Sequence, residues 1–256
     1  MIFDTHAHYD DSDFDIDREE LLGQMKAAGI SHIVNIGASL ESTKRTLELA
    51  KQYDFIYAAV GVHPSDTDQL NDESFEWLRK QCDQPKVVAV GEIGLDYYWD
   101  EPDRGIQKEW FARQIALARE VKLPIVVHSR EAAQDTIDIM KSEKACEVGG
   151  IVHCFSYTKE TARIFLDMDF SFGIGGVVTF KNAKKLKEAV EYIPMEKIVI
   201  ETDCPYLSPE PNRGKRNSSL NLPYVIKAIA ELKNLSEEEV MKITYENAKK
   251  IYRIED

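Results

Sequence analysis

Ile125-Val126-Val127, continuing into His128-Ser129-Arg130 and then a helical pattern over Ala132–Lys141, is the stretch on which the fold turns. Three apolar, mostly β-branched residues in a row, with no polar alternation, read as a short parallel strand buried on both faces. The amphipathic segment behind it reads as the helix that covers one of those faces. Working outward in both directions, the same unit recurs. Strand-like runs fall at Ile2–Thr5, His32–Ile36, Ile56–Val60, Val87–Val90, Ile125–Val127, Gly150–His153, Asp169–Phe172 and Ile198–Ile200. Helical patterns follow near Arg18–Ala28, Leu40–Tyr53, Asp72–Cys82, Ile106–Val121, Ala132–Lys141, Lys159–Met168 and Asn182–Tyr192. Two more close the chain near Pro223–Leu232 and Ser236–Ile251, the first with a proline near its start and the second with a Ser236-Glu-Glu-Glu239 capping box.

Eight strand–helix units are the number that closes a (β/α)8 TIM barrel, an α/β fold of about 250 residues, and the chain has 256. An open doubly wound sheet is the rival, but no GxGxxG turn follows the first strand. Nothing resembling a linker, repeat or low-complexity tract divides the sequence, so one domain over residues 1–256 is expected. The longest irregular piece, Asp203–Leu222, holds Pro205, Pro209, Pro211 and Gly214 and reads as a functional loop.

Composition narrows the class. Hydrophobic residues at 43% and charged residues at 30% exclude disordered and collagen-like chains. No apolar run approaches the roughly 18–20 residues that cross a bilayer, and the N-terminus lacks a secretory pattern, so no membrane partner is expected. The cysteines, Cys82, Cys146, Cys154 and Cys204, are scattered and read as reduced thiols of a cytoplasmic protein. A net charge of −13 argues against a broad basic face that coats nucleic acid, yet leaves room for a local pocket that takes phosphate through metal ions and a few cations.

The histidines carry the chemistry. His6 and His8 follow the first strand, His128 the fifth, and His153 ends the sixth, while Glu92 and Asp203 lie just past the fourth and eighth. In a barrel these ends meet at one mouth. A single strand-end histidine is ordinarily a hydrogen-bonded core residue. Six converging titratable groups without a cation are costly to desolvate, so the cluster reads as metal ligands. Four imidazoles and two carboxylates exceed one tetrahedral site and suit two adjacent divalent ions, bridged by Glu92 on the middle strand. The imidazole content favours Zn or Mn over Mg, with the choice among the three left open.

Several blocks together resemble a known family. Phe3-Asp4-Thr5-His6-Ala7-His8, Gly61-Val62-His63-Pro64, Gly91-Glu92-Ile93-Gly94-Leu95-Asp96-Tyr97, Val127-His128-Ser129-Arg130, His153-Cys154-Phe155-Ser156 and Glu201-Thr202-Asp203-Cys204-Pro205-Tyr206-Leu207 are similar, in order, to the TatD-type metal-dependent deoxyribonucleases of the amidohydrolase-like barrels. The resemblance implies a metal-dependent phosphodiester hydrolase: a deoxyribonuclease acting as a 3′–5′ exonuclease on single-stranded DNA. It implies one ion on His6, His8, Glu92 and Asp203 and a second on Glu92, His128 and His153. Asp203 would also orient the attacking water and take its proton. The chain departs from the family after Arg213-Gly214-Lys215-Arg216-Asn217: Ser218-Ser219 stands where a Glu-Pro pair is common, and the loop is longer, which bears on the cleft wall.

Around this centre, His63, Arg130 and Asp96 are the candidate substrate-binding residues: His63 and Arg130 to hold phosphoryl oxygens, Asp96 with a supporting carboxylate as its other reading. Asp4 sits deeper than His6 on the same side and reads as a buried acceptor. His32 opens its strand at the far end and reads as a surface residue. Cys154 and Cys204 have no general base and read as packing. Tyr97, Tyr98, Trp99, Phe155, Tyr157 and Tyr206 either close the barrel top or stack on nucleobases beside Arg213, Lys215 and Arg216, with one or two expected to do so. The lysines over 181–187 read as a solvated helix face. Nucleic acid is the expected substrate partner, and no obligate protein partner is implied. The alternative function is a small-molecule esterase or lactonase with the same metal centre. Several such barrels place a carboxylated lysine where this chain has Glu92, which favours the nuclease branch. A catalytically silent binding protein would lack a ligand, and none is lacking.

Overall fold

The computed structural model describes residues 1–255, so the last residue of the expected domain, Asp256, lies outside the described residues. Eight strands follow one another around a single parallel sheet in chain order: β1 (Ile2–Ala7), β2 (Ile30–Ile36), β3 (Ile56–Val60), β4 (Val87–Asp96), β5 (Ile125–Arg130), β6 (Gly150–Val152), β7 (Ser171–Ile174) and β8 (Ile198–Ile200). The seam between β8 and β1 is closed by backbone bonds just past β8, Asp203 N–H to His6 O at 2.9 Å and His8 N–H to Cys204 O at 2.8 Å. This is the single-domain (β/α)8 barrel expected from the repeating unit.

Helices α1 (Arg18–Gly23), α2 (Leu40–Gln52), α3 (Asp72–Gln81), α4 (Arg104–Val121), α5 (Ala133–Ser142), α6 (Lys159–Asp167), α7 (Lys184–Tyr192) and α8 (Leu222–Lys233) wrap the sheet, and α9 (Glu237–Tyr252) crosses its base. There Tyr252 donates its hydroxyl to Thr5 O at 2.8 Å. The capping box read at Ser236 is present, with Ser236 Oγ accepting from Glu239 N and Glu239 reaching back to Ser236 N. No helix among the described residues is long and apolar enough to cross a membrane.

Boundaries differ from the sequence reading where the tertiary register overrides local pattern. β4 runs past Val90 to Asp96 because Ile93, Gly94, Leu95 and Asp96 pair with Val127, His128, Ser129 and Arg130. The ladder slips between Val90 and Ile93, and that irregularity lets Glu92 leave the alternation and enter the barrel mouth. Gly94 makes the extension possible: it takes φ 151°, and a Cβ there would lie 1.8 Å from His128 O. α1 stops at Gly23, short of Ala28, and β7 starts at Ser171 because Asp169 turns at φ 65° instead of extending.

Candidate metal centre

His6 and His8 are two apart on β1 and just beyond it, so their rings emerge on the same side, with Nε2 atoms 3.0 Å apart. His8 Nδ1 donates to Ile36 O at 3.0 Å, which leaves its Nε2 as the inward-facing atom. Asp203 Oδ1 lies 3.6 Å from His6 Nε2 and 3.4 Å from His8 Nε2. Asp203 reaches this place in a left-handed backbone conformation, φ 55°, which costs a non-glycine residue about 1 kcal/mol and is found where the surroundings demand it.

Glu92 stands between two groups. Its Oε2 faces His6 and His8, 3.5 and 3.8 Å from their Nε2 atoms. Its Oε1 faces the other way, 2.7 Å from His128 Nδ1 and 2.8 Å from His153 Nε2, with His63 Nε2 at 3.9 Å. Each carboxylate oxygen thus serves one half of the cluster.

The electrostatics ask for positive charge at this spot. Burial alone would push the Glu92 carboxyl up, but the charge on His153 and hydrogen bonds from His128 and His153 hold it well below the usual carboxylate range. Burial alone would lower His8, yet its bond to Asp203 and the charges of Asp203 and Glu92 carry it up to about 9. His63 goes the opposite way: burial and the neighbouring His128 press it down to about 3, so its ring is neutral. Since His63 Nδ1 accepts from Ser65 N–H at 3.1 Å, its proton is on Nε2, facing the cluster.

The donor set fits divalent metal ions. Inward-facing imidazole nitrogens in mutual contact repel one another unless a proton or a cation lies between them. His6–His8–Asp203 gathers potential ligand atoms within 4.8 Å of one another, and Glu92 and His128 come together in the same way beside His63. The same buried region holds polar atoms with no hydrogen-bond partner among the described residues, namely His6 Nδ1, His153 Nδ1 and Glu201 Oε2.

A layer of carboxylates and amides lies behind these side chains. Asp96 Oδ2 is 3.0 Å from His128 Nε2, and its Oδ1 accepts from the N–H groups of Tyr98 and Trp99 at 3.0 and 3.1 Å. The candidate substrate contact at Asp96 is thus a buried carboxylate already committed to His128 and a turn. From α4, Gln107 accepts from Asp96 N–H and donates to Asp96 O, and Gln114 does the same for Val62, next to His63. Asp4 accepts from Ser219 Oγ, Thr202 Oγ1 and the N–H groups of Thr202 and His6, in keeping with the buried acceptor expected, and burial carries its carboxyl up to about 7 against those bonds. Ser219, where the family commonly has proline, thus anchors the long loop to the base of the site through Asp4 and the Tyr9 hydroxyl.

Glu201 is the residue the sequence reading passed over. It is fully buried, its Oε1 accepts from Cys154 N–H at 2.5 Å, and it lies 3.6 Å from His153 Nδ1. Gly173 on β7 makes the space, since a Cβ there would sit 2.0 Å from Glu201 Oε2. The spacing rule that joins His6 to His8 also pairs Glu201 with Asp203, and that was the available signal.

A cleft of about 820 Å³ opens above the cluster, lined by His63, Trp99, Arg130, Tyr206 and Leu207 among others. Of the aromatic residues expected at the barrel top, Phe155 is buried, Tyr157 bonds Ser129, Tyr97 bonds Asp135 and Tyr206 bonds Asp11. The loop cations do not reach the cleft. Arg216 pairs with Asp17, Arg213 lies over Phe180 near Glu210, and Lys215 is absent from the lining. At the far end His32 is not a plain surface residue: it is half-buried and stacks on Phe3 and Tyr57. Cys154 and Cys204 are free, their thiols pushed up by burial.

Residues 3–253 match the profile of the TatD related DNase family. The chain is 49% identical over 254 residues to the metal-dependent hydrolase YabD of Bacillus subtilis (strain 168), covering 99% of this chain and 100% of that protein. It is 32% identical over 236 residues to the 3′-5′ ssDNA/RNA exonuclease TatD of Cronobacter sakazakii, covering 90% and 89%. The crystal structure of YJJV, a TatD homologue of Escherichia coli K12, superposes with a TM-score of 0.93 at 30% identity over 99% of this chain and 98% of that one. The chain is therefore a metal-dependent hydrolase and belongs to the TatD related DNase family.

Proposed function

We propose that this protein hydrolyses phosphodiester bonds at free 3′ ends of single-stranded DNA with two divalent ions, Mg, Mn or Zn, held on either side of Glu92. The observation that carries the reading is the division of the Glu92 carboxylate, Oε2 toward His6 and His8 and Oε1 toward His128 and His153. His6, His8, Asp203 and Glu92 would hold one ion, and Glu92, His128 and His153 the other. Such ions supply Lewis acidity and acidify water, whose pKa falls from 15.7 toward about 7 in favourable sites.

The chain's own groups do the rest. Asp203 orients the attacking water and accepts its proton. Neutral His63 donates a hydrogen bond from its Nε2–H to a phosphoryl oxygen and keeps the proton. Arg130, exposed on the cleft wall, takes a non-bridging oxygen or the adjacent phosphate. Asp96 we place behind His128, where it fixes the ring, instead of on the substrate. Likeness to the Cronobacter exonuclease supports nucleic acid as the substrate. The free thiols suit a reducing compartment, and we place the protein in the cytoplasm.

The test is metal analysis of protein purified without chelator, then turnover of single-stranded DNA, a phosphodiester dye and a lactone panel with each metal restored. The expected result is two ions per chain and DNA cleavage from the 3′ end. Lactone turnover with intact DNA would overturn the assignment in favour of the esterase alternative.

A further inference from the structure

The cleft is poorly equipped to hold a polyanion by charge. Asp10, Asp11 and Asp66 line it, and Arg130 is the one lysine or arginine among its described lining residues. Phosphate affinity scales with the number of cations that neutralise phosphates, so a single guanidinium gives little. Beside Arg130, however, is an aromatic surface the fold itself does not use. Trp99 is 64% exposed and Tyr98 is 51% exposed, whereas most large rings of the protein are buried or half-buried. The two rings meet edge to face at 5.1 Å, and the Arg130 guanidinium lies 3.9 Å over Tyr98.

The turn that carries the rings is rigidly placed. The Asp96 carboxylate that contacts His128 also accepts from the N–H groups of both Tyr98 and Trp99. The shelf is therefore fixed relative to the metal-ligand cluster through one side chain.

We infer that Trp99, flanked by Tyr98 and Arg130, is a stacking subsite for a nucleobase of single-stranded nucleic acid, seated next to the scissile phosphate. The inference rests on the phosphodiesterase reading and adds where affinity comes from. Base–aromatic stacking is indifferent to base identity because every base has a π face, and an acidic cleft with one cation needs such a source.

The probe is a six-nucleotide oligothymidylate with phosphorothioate linkages, compared with the same backbone carrying no bases, each titrated by calorimetry into metal-loaded enzyme. The base-bearing strand is expected to bind about 10-fold tighter or more. It should also quench tryptophan emission, chiefly that of Trp99, since Trp110 is buried and Trp77 is packed against the core away from the cleft lining. Trp99→Ala should bring the two affinities together while leaving the salt dependence as it was, and Trp99→Phe should restore part of the difference. Arg130→Gln should flatten the salt dependence instead. Equal affinity of the two strands for the wild type, or a full base preference in Trp99→Ala, would overturn the subsite. Unmodified oligothymidylate separates the two ideas: cleavage without base preference removes the subsite alone, whereas no cleavage by metal-loaded enzyme removes the phosphodiesterase reading and the subsite with it.

Discussion

At the base of the barrel, His32 lies flat on Phe3 with ring centroids 5.1 Å apart and on Tyr57 at 5.7 Å, with Tyr245 edge-on at 5.6 Å. At the mouth, His6 lies flat on His153 at 3.9 Å, with His8 edge-on at 4.9 Å. The ring geometry is much the same, but the surroundings of the nitrogens are opposite. At the base, apolar and phenolic rings make the imidazole a filler of the aromatic plug that closes the barrel. At the mouth the nitrogens face one another and the carboxylates of Glu92, Asp203 and Glu201, an arrangement that is stable only with positive charge among them. Stacking does not tell a packing histidine from a ligand. What the ring nitrogens face does.

The strongest way to break this contrast is at Glu92, whose two carboxylate oxygens each face one half of the mouth cluster. Glu92→Gln removes the shared charge, and turnover is expected to fall to the level of chelated enzyme with metal content falling alongside. Elemental analysis with a kinetic assay reads both. Retained metal and retained turnover would mean that the cluster is a polar network like any other.

A narrower test separates holding from chemistry. Asp203→Asn keeps the shape and leaves His6, His8 and Glu92 in place, so much of the metal should stay. The carboxylate we propose as proton acceptor is lost, a role worth about 10²–10⁴-fold, and the loss should fall on kcat far more than on KM. A wild-type kcat at full occupancy would remove Asp203 as the base.

Glu201→Gln probes the layer beneath. Its carboxylate lies 3.6 Å from His153 Nδ1, which has no hydrogen-bond partner among the described residues. Carboxylates behind ligating histidines are worth about 10–100-fold in metal affinity or activity. Metal titration of the apoprotein should show the weakening without any assay of turnover. Unchanged affinity would assign Glu201 to the Cys154 turn alone, where its Oε1 accepts the backbone N–H.

The contrast also marks what was legible in advance. Strand ends could be read because buried parallel strands are short apolar runs, and placing His6, His8, Glu92, His128, His153 and Asp203 on those ends needed only the barrel. What could not be read depended on contacts between distant segments. The extension of β4 to Asp96 exists because β5 pairs with it, and no local pattern announces a ladder slip at Gly91-Glu92. Asp96 faces His128 only because of that register. Glu201 is not separable from Asp203 by local pattern, because the space that admits its side chain is set by Gly173 on another strand. The packing of His32 has no local signature, because its partners come from residues 3, 57 and 245.

The smallest expected effect is at the base, and it sharpens the comparison by its direction. His32→Asn deletes a ring from a half-buried stack, so it should cost stability through lost packing, on the order of 1 kcal/mol. For a chain of this size that is a fall in Tm of about 2–4 °C. The stack lies at the opposite end of β1 and β2 from the mouth cluster, and the backbone pairing of those strands does not depend on the His32 side chain. Metal content, kcat and KM should therefore match the wild type when measured well below the transition. Differential scanning calorimetry and one kinetic series decide it. A drop in turnover or bound metal at unchanged Tm would show the two ends to be coupled, and would end the separation of packing histidines from working ones on which the reading of this barrel depends.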